Sequence, residues 1–172
     1  YVEAGTKGSP DSLMTSKLAG SAEMGNMFDL QAINSDIIID SFSIQPAVMT
    51  GIPVPMAVYY RKGSYIGYES KDTAWTLLGI DTVISKGVTN FVSITIGNLK
   101  INAGDTFGFY VSSTDFTALL THTEGAKVIS DNYIKVSCGT KAFFPFDSYF
   151  SPGKTWNGKI FYSTGSLCKS AR

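Results

Sequence analysis

The sequence of 172 residues predicts an all-β protein, an antiparallel β-sandwich of about nine strands and of jelly-roll type. Three observations carry this prediction. Large apolar side chains alternate with smaller or polar ones over most of the chain, as in half-buried strands. Clusters of Gly, Pro, Asn, Asp and Ser separate these runs at short spacing. The pattern contains no helical segment of the length that parallel βαβ crossovers require.

The predicted strands follow one another after residue 25. They are residues 26–32, 36–45, 54–61, 74–84, 91–101, 105–114, 118–123, 132–138 and 156–163. The third run shows the alternation clearly, because every second side chain is large and apolar. Its expected core-facing residues are Val54, Met56, Val58 and Tyr60. Within the run 105–114, Gly108 indicates a bulge or the close approach of another side chain.

The last predicted strand lies in the stretch KTWNGKIFYS and has one buried face. The residues of that face are Trp156, Gly158, Ile160 and Tyr162. We therefore expect this strand to close the sandwich and to serve the fold.

The chain is predicted to have an N-terminal arm or linker, residues 1–25, and a single β-sandwich domain, residues 26–172. The arm is rich in small and polar residues and shows no sustained period. Such a segment cannot bury enough apolar surface to order itself, so we expect it to add to an exposed sheet edge of the same copy or of a neighbour. Leu13, Met14 and Leu18 are the side chains that would fill pockets there and support assembly.

Composition excludes several partners. Basic and acidic residues number 14 each, and no basic stripe is present that could neutralise a row of phosphates, so nucleic acid is not an expected partner. No window reaches the eighteen or so apolar residues of a membrane helix, so we expect no membrane insertion. The chain starts at Tyr1 with no apolar leader, which suits a mature secreted product or a piece of a longer chain.

The two cysteines, Cys138 and Cys168, have no metal-type spacing. In a secreted protein they are expected to pair in an intrachain disulfide that ties the C-terminal tail to the preceding strand. The alternative is that they are two unrelated buried thiols.

Several sequence blocks carry a resemblance. In chain order they are GNMFDLQA, VYYRKGSYIGYES with AWTLLG, INAGDTFGFYV, and PFDSYF with KTWNGKIFYS. Together they resemble a β-sandwich module of large secreted or cell-surface proteins, often of marine bacteria, which recurs there beside other extracellular domains. The resemblance covers about residues 25–163. It implies a non-catalytic module, and it implies no ligand residues.

No residue set points to a reaction. The single histidine, His122, has no serine elbow near it and stands among threonines, so we expect an ordinary polar side chain and neither a base nor a zinc ligand. Most carboxylates follow turn signals, where Asp is expected; examples are Asp105, Asp115, Asp131 and Asp147. The chain is therefore predicted not to be an enzyme and to need no cofactor, with a loop calcium ion as an open alternative.

Four aromatic residues, Tyr59, Tyr65, Tyr68 and Trp75, surround one predicted hairpin. They are either an exposed platform that stacks on a sugar ring or a neighbour's surface, or they fill the core. The sequence thus favours an extracellular structural or adhesive module that associates with copies of itself or with a matrix. The alternative is a glycan-binding, lectin-like domain.

Overall fold

The computed structural model describes residues 7–17 and 20–165, which form an all-β protein with antiparallel sheets. The strands are β1 (Lys7–Met14), β2 (Ser21–Glu23), β3 (Gly25–Ala32), β4 (Ile37–Ile44), β5 (Pro53–Lys62), β6 (Thr76–Ile84), β7 (Val92–Ile94), β8 (Leu99–Ile101), β9 (Thr106–Ser113), β10 (Leu120–Glu124), β11 (Val128–Ser130), β12 (Ile134–Ala142), β13 (Phe150–Pro152), β14 (Lys154–Trp156) and β15 (Gly158–Gly165). One turn of 3₁₀ helix, Asp72–Ala74, precedes β6. The predicted class, an antiparallel β-sandwich, is confirmed. The jelly-roll order of strands stays a prediction.

Three sheets make up the sandwich. The large sheet has seven strands in the order β11-β12-β3-β9-β5-β6, with β13 also beside β12. The small sheet has five, in the order β1-β15-β4-β7, with β8 also beside β4. The end sheet contains β14, β10 and β2. Because β14 continues into β15 and β2 continues into β3, the end sheet connects the small sheet to the large one.

Each of the nine predicted runs contains an observed strand, and apart from β1 in the predicted arm the differences lie in short segments. The run 91–101 is divided into β7 and β8, and the last run is broken at Asn157. Strands β2, β11 and β13, none of which was predicted, are three residues long. A segment of that length is too short to show a period.

The main core lies between the large and small sheets. The Trp156 ring stacks on Phe28 with centroids 4.9 Å apart, and it meets Phe42 edge-on at 5.8 Å. The predicted core-facing residues of β5 are buried, except for Tyr60, which is partly buried. All four residues of the predicted buried face of the last strand are buried as well. The alternation in the sequence therefore identified the inner faces of both sheets correctly.

Part of the predicted arm belongs to the small sheet. Strand β1 pairs antiparallel with β15 of the same chain, from Lys7 opposite Gly165 to Met14 opposite Lys159. Leu13 is buried in the main core, whereas Met14 is exposed. Leu18 lies outside the described residues. Over β1 the arm thus docks on its own domain, one of the two alternatives that its composition left open.

Candidate functional site

The outer face of the large sheet, which points away from the small sheet, is partly covered by two loops, residues 63–75 and 143–149. Beneath them lies a second hydrophobic cluster, named here the outer cluster. Its buried members are Met27, Tyr65, Trp75, Tyr110 and Ala142, with Tyr59, Ala74, Phe144 and Phe146 packed against them. Phe146 of the second loop contacts both the sheet and the first loop, because its ring lies 4.9 Å from Tyr59, 5.1 Å from Tyr110 and 5.8 Å from Trp75.

Tyr65 is held against the sheet by two glycines and one carboxylate. A Cβ added at Gly108 would lie 2.8 Å from the Tyr65 backbone nitrogen, and one added at Gly139 would overlap the Tyr65 hydroxyl. The Tyr65 backbone N–H donates to Asp29 Oδ1 at 2.9 Å, and the Ser64 hydroxyl donates to Oδ2 of the same carboxylate. Burial raises the pKa of Asp29, and these two hydrogen bonds oppose that rise. Of the two alternatives expected at Gly108, a close approach is observed, and it is made by the backbone and Cβ of Tyr65.

The four aromatic residues predicted to bind a ligand are not an exposed platform. Tyr65 and Trp75 are only 6% and 9% exposed, and Tyr59 is partly buried. Tyr68 is 36% exposed, and the Arg61 guanidinium lies over its ring, 3.6 Å from the centroid. Of the two alternatives that the sequence left open, Tyr65 and Trp75 follow the one in which they fill a core, because the loop folds back onto the space that Gly108 and Gly139 leave open. Ligand binding by these residues stays a prediction.

Cys138 lies in the main core on β12. Burial raises the pKa of its thiol to about 12, so the thiolate is not available near neutral pH. Cys138 has no disulfide partner among the described residues, and Cys168 lies outside them. The predicted pairing therefore stays a prediction, while the burial of Cys138 fits the alternative of a plain core thiol.

His122 is buried in the end sheet, opposite Trp156 of β14 and Ser21 of β2. Burial lowers the pKa of this histidine to about 4, and the nearby Lys141 acts in the same direction. A base in this position has no access to a solvent-borne substrate. The structure thus places His122 among the residues that support the fold.

We expect His122 to make stability depend on pH. In the unfolded chain it takes up a proton as the pH falls below about 6.5, whereas in the fold it stays neutral down to about 4. Stability is therefore full above pH 6.5, and about 3 kcal/mol is expected to be lost as the pH falls to 4. Urea denaturation across this range measures the loss. The His122→Gln variant should show a flatter profile, and equal slopes for both proteins would contradict the assignment.

The turn carboxylates are engaged by the chain itself. Asp115 accepts from the backbone and hydroxyl of Thr117, and Asp147 accepts from the Tyr149 backbone N–H. Asp131 accepts from two backbone N–H groups and the Tyr162 hydroxyl. Among residues 7–17 and 20–165, no three His, Cys, Asp or Glu side chains are grouped as a metal site. No helix in the same residues has the length and apolar character needed to span a membrane.

The edge of the large sheet at β6 is open. β6 pairs with β5, and no strand of the described chain pairs with its other side. Ile80 and Ile84 lie on the outer face, 72% and 54% exposed. Asp81 is the single charged residue of this nine-residue strand, which contains neither Lys nor Pro. Edge strands usually carry Lys or Pro, because these residues discourage pairing with another chain.

A shallow groove of about 340 Å³ lies beside this edge. It is lined by Pro55, Met56, Ile80, Asp81, Thr82 and Thr114. The Asp81 carboxylate is already engaged, since it accepts from the backbone N–H groups of Thr82 at 2.8 Å and Thr95 at 2.7 Å. The groove therefore offers a partner the apolar surfaces of Pro55, Met56 and Ile80 beside the hydroxyl groups of Thr82 and Thr114.

No model of a known protein family matches this chain, and no curated protein matches it.

The open edge and its groove offer main-chain hydrogen bonds together with apolar contacts. These are the two components of strand addition, in which an extended chain extends a sheet and its side chains enter adjacent pockets. The polar side chains that line the groove are those of Thr82, Thr114 and the engaged Asp81. The arrangement can hold an extended strand.

Proposed function

We propose that this chain is a non-enzymatic structural or adhesive module that works outside the cell, secreted or at the cell surface, and associates with copies of itself. The observation that carries the proposal is the open β6 edge with its exposed Ile80 and Ile84. The formal net charge is zero, so little long-range repulsion opposes contact between copies. The resemblance to an extracellular sandwich module agrees with this role. The proposal includes no cofactor, nucleic acid or membrane insertion.

The proposed contact lies away from the N-terminal arm. Leu13, one of the three side chains expected to support assembly, packs in the core of its own domain. Met14 remains exposed, but its strand β1, which is the terminal strand of the small sheet, contains Pro10 and Asp11, and such residues discourage pairing at an edge. The β6 edge combines unpaired main chain with exposed aliphatic side chains, which is the stronger basis for association.

The alternative is a glycan-binding, lectin-like domain, whose partner would be an extracellular matrix or a surface glycan. A sugar stacks on an open aromatic face, whereas the face of Tyr68 that meets Arg61 is occupied. The positions of Tyr65 and Trp75 in the outer cluster also support this alternative less than self-association. Binding to a glycan array that disappears in Tyr68→Ala would favour the alternative.

Sedimentation velocity over a concentration series tests the proposal. We expect the wild-type protein to sediment faster as its concentration rises. Ile80→Lys should weaken association about ten-fold or more, because it removes an apolar contact and places a charge at the edge. Ile66→Lys is the matched control, since Ile66 is 67% exposed and lies outside β6, in the loop of residues 63–75.

The control should associate like the wild type. A wild-type protein that remains monomeric at every concentration would contradict the proposal. If Ile80→Lys associated as strongly as the wild type, the β6 edge would not be the contact between copies.

A further inference from the structure

We infer that two copies pair antiparallel through residues 80–84 of β6, about a two-fold axis at Thr82. This inference rests on the proposed self-association and names its contact. The two large sheets would then form one continuous sheet, with the same strand at the interface in each copy. Closed two-fold contacts of this kind are the commonest arrangement among homo-oligomers.

The direction of the main-chain groups supports this pairing. Pro55 lies opposite Thr82, and its carbonyl accepts from Thr114 N–H at 2.9 Å on the β9 side. In an antiparallel sheet, the N–H and C=O of one residue both point to the same neighbouring strand. That residue therefore forms a non-hydrogen-bonded pair with the strand on its other side. The N–H and C=O of Thr82 therefore point away from β5, to the open edge.

The same outward direction recurs two residues away on each side, at Ile80 and Ile84. The next residue agrees, because the Ser85 N–H points back and donates to the Ile52 carbonyl at 2.9 Å. Ile80 and Ile84 thus present both a donor and an acceptor along the edge, and Thr82 presents its carbonyl. The Thr82 N–H donates to the neighbouring Asp81 side chain at 2.8 Å, and pairing with a second copy would replace this hydrogen bond.

The start of β6 is less accessible than its end. The β5–β6 register shifts between Val58 and Tyr59, which interrupts the regular ladder at this point. Residues 96–97 lie against the same place, since a Cβ at Gly79 would lie 3.4 Å from Ile96 and one at Gly97 would lie 3.6 Å from the Leu78 carbonyl oxygen. The stretch that remains for pairing is therefore residues 80–84, with Thr82 at its centre. Within this stretch the Asp81 carboxylate is bound to the Thr95 N–H at 2.7 Å.

Side chains are complementary in this register. Ile80 lies opposite the partner's Ile84 on the outer face, and the two Thr82 residues face each other, which are both favourable cross-strand pairs. Asp81 lies opposite the partner's Val83, so the two carboxylates do not oppose each other. A register centred on Asp81 would place the two Asp81 carboxylates directly opposite each other, and like charges in that position are destabilising.

A second copy of this chain is the occupant because the strand is complementary to itself and the molecule carries no net charge. Five paired residues bury less surface than the roughly 1,000 Å² expected of a stable interface. We therefore expect a weak dimer that forms at high local concentration, as between neighbouring modules on one surface.

Oxidative cross-linking of Thr82→Cys in the full chain tests the register. Opposite residues of a hydrogen-bonded pair have Cα atoms about 5.5 Å apart, within disulfide range. We expect about ten-fold more linked dimer than with the control variant Ile66→Cys, and peptide mass spectrometry should show position 82 linked to position 82. The wild-type chain, oxidised in the same way, is the control for dimers linked through the native cysteines, Cys138 and Cys168.

Sedimentation of the reduced Thr82→Cys protein separates the possible failures. Association without a link at position 82 above the level of the Ile66→Cys control would overturn the register and leave self-association standing. Monomers at every concentration would overturn both. Monomers that instead capture an added extended peptide at β6 would overturn the choice of a second copy as the occupant.

Discussion

Replacing Trp156 with alanine should lower the free energy of unfolding by about 3 to 5 kcal/mol, because truncation of a large buried aromatic leaves a cavity. The Trp156 side chain is fully buried and lies against Phe28 and Phe42, at the point where β14 bends into β15. These two phenylalanines belong to opposite sheets, so the cavity would lie in the contact that joins the sheets. The shift of the urea midpoint at constant slope measures the loss.

Phe116→Ala is the control for this substitution. Phe116 is large, aromatic and exposed in the turn after β9, so its removal should change stability by no more than about 0.5 kcal/mol. Similar losses in both variants would show that Trp156 does not occupy the core.

Tyr65→Ala should cost about 3 kcal/mol, although Tyr65 lies in a loop. Its ring fills the space above Gly108 and Gly139, and its removal would open the outer cluster between the loop and the sheet. Near-ultraviolet circular dichroism should change as well, because Trp75 and Tyr110 lie in the same cluster. Chemical denaturation gives the size of the loss.

Tyr65→Phe is the matched control, since it keeps the ring and removes only the hydroxyl, which lies 3.4 Å from the Thr140 hydroxyl. Its cost should be below about 1 kcal/mol. A mild effect of Tyr65→Ala would instead mean that the loop contributes little to folding and is free to serve another role.

The sequence predicted the sheets well because the alternation of side chains is a property of each strand alone. Val54, Met56 and Val58 carry their inward direction in their own spacing. The burial of Tyr65 has a different origin, because it depends on the missing side chains of Gly108 and Gly139, which belong to other strands. A glycine shows that space is available, but the sequence does not show which residue fills it.

The pairing of β1 was predicted only as one of two alternatives, without bounds or a partner strand, for a related reason. Its segment KGSPDSLM has almost no apolar alternation, and its place in the small sheet comes from pairing with the β15 edge. The open edge at β6 was missed, because a strand's own pattern does not show whether it is central or terminal. One signal was present: the run TLLGIDTVI has aliphatic residues on both faces and lacks Lys and Pro.

The pairing of Lys7 with Gly165 determines how the domain responds to mechanical force. Because β1 and β15 are antiparallel, the two ends of the described chain leave the same corner of the small sheet. Tension applied through these ends pulls the strands apart from that corner, so their hydrogen bonds break one after another. Pulling on positions in other strands would load many bonds in parallel. Single-molecule force spectroscopy should therefore show early detachment of β1 at low force, and an adhesive module built this way would lengthen under load before its core opens.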